Sequence, residues 1–107
     1  MIANTPAPPY YAVIFTSTLS NDTDGYEDVS QEMIKLAEQQ AGFLGFESAR
    51  EEIGISVSYW SDLESIEQWK ANTRHQVVQK LGKTRWYESF ITRVSLVERD
   101  SGIHTIS

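Results

Sequence analysis

The sequence has 107 residues, 40% of them hydrophobic and 22% charged, with 9 Lys and Arg against 15 Asp and Glu for a net charge of −6. A chain of that length supports one core that buries about two-thirds of the unfolded surface, and two cores would be too small to stand. The absence of cysteine excludes disulfides, iron–sulfur clusters, thiolate zinc sites and thiol nucleophiles, and the acidic balance argues against nucleic acid or an anionic membrane as a partner.

The first 21 residues carry no charged side chain. They also lack a basic n-region, and Pro6, Pro8 and Pro9 interrupt them, so they do not read as a secretory signal. No apolar run approaches the roughly 18 residues of a membrane span, and a cytoplasmic location is expected. Residues 1–9 read as an extended tail, polyproline-like near its prolines, residues 10–100 as one domain and residues 101–107 as a polar tail.

Tyr10–Thr18 is rich in aromatic and β-branched residues and reads as a strand. Turn residues Ser20–Gly25 follow, and Asp24 with Glu27 has the spacing of a capping box. Tyr26, Val29, Met33, Leu36 and Ala37 then recur at three and four residues as one helical stripe, with Gly42 placed to end it. Phe43–Glu51 reads as a second strand. Ile55, Val57 and Tyr59 interleave with Ser56, Ser58 and Trp60 in a third, and the two form a hairpin near Glu52–Gly54.

Ser61 and Glu64 repeat the capping-box signature, with Asp62 a favourable charge at the helix start and Leu63, Ile66 and Trp69 on its inward side. Asn72 or Thr73 caps a further helix that bears Val77, Val78 and Leu81. Gly82 either ends this helix or lies within its continuation towards Glu88. Phe90–Glu98 is the last strand. Strand, helix, strand, strand, helical segment, strand is the ferredoxin-like βαββαβ order of an α+β fold, with helices on one face of an antiparallel sheet.

Helices protect only one face of such a sheet, yet both faces of its strands carry apolar groups. Ala12 and Ile14 alternate with Tyr11, Val13 and Phe15, and Val94 and Leu96 oppose Ile91 and Val97. A solvated face would be more consistently polar. The pattern predicts a symmetric homodimer in which two bare faces cover one another.

Familiar chemical motifs are absent. Six glycines form neither a dinucleotide fingerprint nor a phosphate loop. His75 and His104 are the only imidazoles, so no multi-histidine metal site is expected. Glu51–Glu52 is a turn-side pair without acid–base spacing. The informative stretch is Tyr59–Tyr87. Trp60 ends a strand, Trp69 ends a helix, and His75 lies near the start of the next, with Asn72 and Arg74 beside it. Were that helix to run on, eleven residues would make about three turns and bring Trp86 onto the face of His75. Aromatic walls with few polar groups suit a flat apolar ligand; core packing of the tryptophans and a structural histidine are the competing reading.

Residues 42–50 (GFLGFESAR), residues 58–70 (SYWSDLESIEQWK) and His75 together resemble the antibiotic biosynthesis monooxygenase superfamily, over roughly Tyr10–Asp100. The resemblance implies ferredoxin-like subunits paired in a dimeric α/β barrel. It also implies one of two chemistries. In the first, O2 oxidises an aromatic or polycyclic small molecule with no cofactor and no metal. His75 is then the proton acceptor, Trp69 a wall, Arg74 or Asn72 an oxyanion donor, and Tyr59, Trp60, Trp86 and Phe15 line the substrate. In the second, haem is degraded, with His75 as axial ligand and Trp69 crowding the porphyrin. From that pattern the sequence departs twice: the first strand has no asparagine, and Gln79 stands where the axial histidine falls. A dimer that binds small aromatics without turnover is the third expectation.

Overall fold

The computed structural model describes residues 2–103 and has the βαββαβ order. Strand β1 spans Tyr10–Leu19, helix α1 Tyr26–Glu38, β2 Phe43–Arg50 and β3 Gly54–Trp60. Helices α2 (Leu63–Ala71) and α3 (Thr73–Leu81) follow, then a π-helical turn over Gly82–Trp86 and strand β4, Tyr87–Val97. The four strands form one antiparallel sheet in the order β2-β3-β1-β4. This is the ferredoxin-like α+β fold. His104 lies outside the described residues.

Register sorts the side chains, because directly paired residues of antiparallel strands share a face. Phe43, Trp60, Tyr11 and Leu96 make one row beneath the helices, and Phe46, Ser58, Val13 and Val94 the next. The opposite, outer face carries Tyr59, Ala12, Val57, Ile14, Ile55 and Ile91. Strand β4 lies at the sheet edge, and its apolar groups are exposed on both sides, Val94 and Leu96 on one and Ile91 on the other.

Capping chemistry differs from expectation at three places. Asp24 does not cap α1; Gly25 occupies the cap position in a left-handed conformation, φ 79°, with no side-chain hydrogen bond. At α2 the cap is Asp62 rather than Ser61, and its carboxylate accepts from the Ser65 amide at 2.7 Å. Gly42 does not end α1, which stops at Glu38. Its φ of 82° turns the chain into β2, where a Cβ would fall 2.0 Å from Ser65 Oγ.

The N-terminal segment is tied down rather than free. The Ala3 amide donates to Glu47 Oε2 at 2.9 Å and Thr5 Oγ1 to the Tyr10 hydroxyl at 3.1 Å, which in turn donates to Asp100 at 2.6 Å. The first and last described residues therefore meet on the outer face, around a cavity of about 250 Å³ lined in part by Tyr10, Glu47 and Tyr59. No helix among the described residues is long and apolar enough to cross a membrane.

Candidate functional site

Helix α2 is anchored at its start by Asp62 and brings Ile66 and Trp69, three residues apart, down onto the sheet. The Trp69 indole stacks on Trp60, with ring centroids 6.2 Å apart and planes 26° from parallel. The chain then breaks at Asn72, which ends α2 and caps α3 by accepting the His75 amide at 3.1 Å. That sharp turn lays the His75 imidazole flat on Trp69, centroids 4.0 Å apart and planes 13° from parallel.

His75 Nδ1 lies 3.0 Å from the Trp69 carbonyl oxygen. A carbonyl only accepts, so Nδ1 carries the proton and Nε2 is the basic nitrogen of the neutral ring. Burial pushes the imidazole pKa down from 6.5, against the smaller opposing pull of the carbonyl hydrogen bond. Nε2 has no protein partner among the described residues, where no buried side-chain nitrogen or oxygen is left unpaired. It is therefore open to solvent or ligand. The arrangement is a neutral base, oriented by the backbone and walled by an indole.

The other expected residues are dispersed. Arg74 is exposed on α3 and holds Glu32 of α1 through two hydrogen bonds of 2.6 and 2.8 Å. With Asn72 it lines an open cavity of about 480 Å³ between α1 and the α2–α3 junction. Trp60 is 0% exposed, its indole bonded to Ser58, and it offers a ligand no surface. Tyr59, one residue earlier on the strand, points to the outer face and donates to Glu47 at 2.6 Å. Trp86 does not join His75. The π-helical turn carries it under Tyr26, where its indole donates to the Asp24 carbonyl. Phe15 lies with Tyr87 and Phe90 at the β4 start of the sheet. Tyr26, Tyr87, Phe90 and Arg50, which no motif in the sequence marks as a site, gather there; the signal for Arg50 is its place opposite Gly54 in the hairpin.

A sequence profile of the antibiotic biosynthesis monooxygenase family matches residues 9–81. The chain belongs to the antibiotic biosynthesis monooxygenase family. Similar to it is the uncharacterized protein YqjZ of Bacillus subtilis, 46% identical over 100 residues that cover 92% of this chain and 88% of the relative. Among solved structures, SnoaB of Streptomyces nogalater, a cofactor-independent oxygenase, superposes with a TM-score of 0.70 at 12% identity, covering 90% of this chain and 98% of that one. A putative antibiotic biosynthesis monooxygenase of Nitrosomonas europaea gives 0.71 at 8% identity, covering 92% and 99%. At these identities the structures share the fold. Membership of this monooxygenase family supports a monooxygenase-like or small-molecule-binding role.

For haem, the residue expected as axial ligand is His75. The His75 ring lies face-on to Trp69, and neither residue lines the cavity of about 480 Å³, whose walls are Glu32, Lys35, Leu36, Gln39, Asn72, Thr73 and Arg74, so this cavity does not present the histidine to a porphyrin. Among the described residues no group of three or more His, Asp or Glu side chains is placed to hold a metal ion.

Proposed function

We propose that this protein is a cofactor-independent monooxygenase that oxidises an aromatic or polycyclic small molecule with O2. One observation carries the reading: the neutral His75 imidazole, fixed through Nδ1 to the Trp69 carbonyl, presents an unpartnered Nε2 beside an indole face. Nε2 takes the acidic proton of a ring CH2 or phenol, and the resulting electron-rich anion gives its electrons to O2. A C–O bond forms, the peroxide takes up a proton, and O–O cleavage releases water and leaves a carbonyl. Trp69 holds the imidazole plane, so positioning of the base supplies part of the rate. Asn72 and Arg74, at the rim, are the candidate donors to the developing oxyanion.

A second copy of the chain completes the assembly in this proposal by covering the outer sheet face. Ile14, Val57, Ile55 and Ile91 share that face, and Ile55 and Ile91 are exposed in the single subunit. Light scattering at twice the chain mass supports the dimer, and a single-chain mass refutes it.

Oxygen uptake with an anthrone-type phenol tests the chemistry. Wild type is expected to turn over and His75→Ala to lose about a hundredfold or more, the usual contribution of a general base. Equal rates in the two proteins remove His75 from the mechanism. Ligand-induced thermal stabilisation without oxygen uptake establishes the alternative, a dimer that binds small aromatics without turnover.

A further inference from the structure

Four residues form one row across the helix-facing side of the sheet, at the end remote from His75. Arg50 is paired with Gly54, Gly54 with Ser17, and Ser17 with Phe90. The missing side chain at Gly54 lets Arg50 lie across this row, since a Cβ there would fall 2.1 Å from the Arg50 Cζ. The guanidinium reaches Ser17, donating to its carbonyl from Nη1 at 3.3 Å and to its hydroxyl from Nη2 at 2.5 Å. Ser17 is itself 2% exposed. The Tyr26 ring stands 5.8 Å from Cζ, a cation–π distance. One part of the guanidinium is thus fixed by a buried serine.

The rest of it is uncommitted. Two of its five N–H donors are used. Both ion pairs among the described residues involve other arginines, Arg74 and Arg85. Arg50 is exposed and has no carboxylate partner among the described residues, in a chain with 15 acidic residues. Aromatic surface adjoins it: Tyr87 lies 5.8 Å from Tyr26 and 5.1 Å from Phe15, and Phe90 stacks on Phe15 at 5.6 Å while remaining 42% exposed. Burial holds the Tyr87 phenol well above the ordinary tyrosine range, so it stays neutral and adds no second negative charge.

We propose that Arg50, held by Ser17 across Gly54 and set over Tyr26, with Tyr87, Phe15 and Phe90 continuing the aromatic surface, is a recognition site for the carboxylate of an aromatic ligand. A planar guanidinium fork matches two carboxylate oxygens, and the rings beside it accept the aromatic body. Six residue steps along β3, about 20 Å of strand, lie between Gly54 and Trp60, over which Trp69 and His75 stand. The site uses none of the groups assigned to proton transfer, so its failure leaves the oxygenase reading standing.

Calorimetric titration with 2-naphthoate and with neutral 2-naphthamide tests it. Wild type is expected to bind the carboxylate about ten- to a hundredfold more tightly than the amide, the range for charge-assisted hydrogen bonds. Arg50→Gln should abolish that preference, weakening naphthoate far more than the amide. Gly54→Ala should weaken naphthoate in the same way although the arginine is still present, because the added Cβ evicts the guanidinium. Arg50→Lys, which keeps the charge and most of the packing, should retain only part of the preference and serves should Arg50→Gln not fold. Equal affinity of wild type for the two probes, no binding of naphthoate at millimolar concentration, or a preference that survives in a folded Arg50→Gln overturns the proposal.

Discussion

The His75 imidazole is bonded through Nδ1 to the carbonyl of the same residue, Trp69, whose indole it stacks on at 4.0 Å. The backbone thereby fixes the tautomer while the side chain fixes the ring plane. Burial is the larger influence on its proton affinity and lowers the pKa from 6.5. Protonation is thus disfavoured in the folded state relative to the unfolded one, so the stability linked to His75 is complete above pH 6.5 and is lost as pH falls below it. Urea midpoints measured from pH 7.5 down to 5 should decline in wild type, and His75→Gln should flatten that part of the decline. The acid limb of oxygen uptake should likewise lie below pH 6.5; a limb above it would contradict a desolvated imidazole.

Asn72 does two jobs with one side chain, ending α2 and capping α3. Asn72→Ala removes a helix cap, a loss of about 1 kcal/mol, which for a domain of this size lowers the thermal midpoint by about 4–8 °C. Asn72→Asp keeps the acceptor and should recover most of that. Because the cap also aims His75, Asn72→Ala should depress kcat more than it raises KM, whereas a cap that served stability alone would leave both nearly unchanged.

The fold was legible because each element carries its own local signal: alternation in β1 and β3, the apolar stripe in α1, the Asn72 cap before α3. The site was legible only in part. Trp69 and His75 lie in one short stretch, so a turn at Asn72 brings them together without help from the rest of the chain. A regular helix continued through Gly82 places Trp86 on the face of His75, whereas the five residues Gly82–Trp86 form a wider π-helical turn that swings the indole under Tyr26. Asp24 was a plausible cap whose place Gly25 takes by adopting a left-handed conformation that only glycine reaches cheaply. The row from Arg50 to Phe90 joins four strands and is set by register, which no single segment encodes.

Arg74 and Glu32 form an exposed pair, and such pairs contribute little to stability. Arg74→Ala should therefore leave the thermal midpoint nearly unchanged, and high salt should do no more. Of the two candidate oxyanion donors Arg74 is already engaged by Glu32, which favours Asn72, so oxygen uptake should fall by less than the roughly hundredfold typical of a lost oxyanion donor. A drop as large as that of His75→Ala would instead put the guanidinium at the reacting atoms.

Glu47 joins the N-terminal segment to the sheet, its two oxygens accepting from the Tyr59 hydroxyl at 2.6 Å and the Ala3 amide at 2.9 Å. The Tyr59 hydrogen bond, then that of Ala3, holds the carboxyl below its ordinary 4.5. The linked stability is therefore present above pH 4.5 and lost as pH falls through the lower folded value. Glu47→Gln keeps one acceptor but turns an amide NH2 towards a donor, a cost of about 1–2 kcal/mol. The expected result is faster amide exchange at Ala3 and its neighbours, by roughly tenfold, with the β1–β3 ladder still protected. Since this segment lies on the face proposed to meet a second copy, the same substitution should weaken the dimer. The Ala3 side chain also packs against Gly45, so closely that a Cβ added to the glycine would fall 3.0 Å from it. Unchanged exchange at Ala3 would mean that this packing holds the segment without the carboxylate.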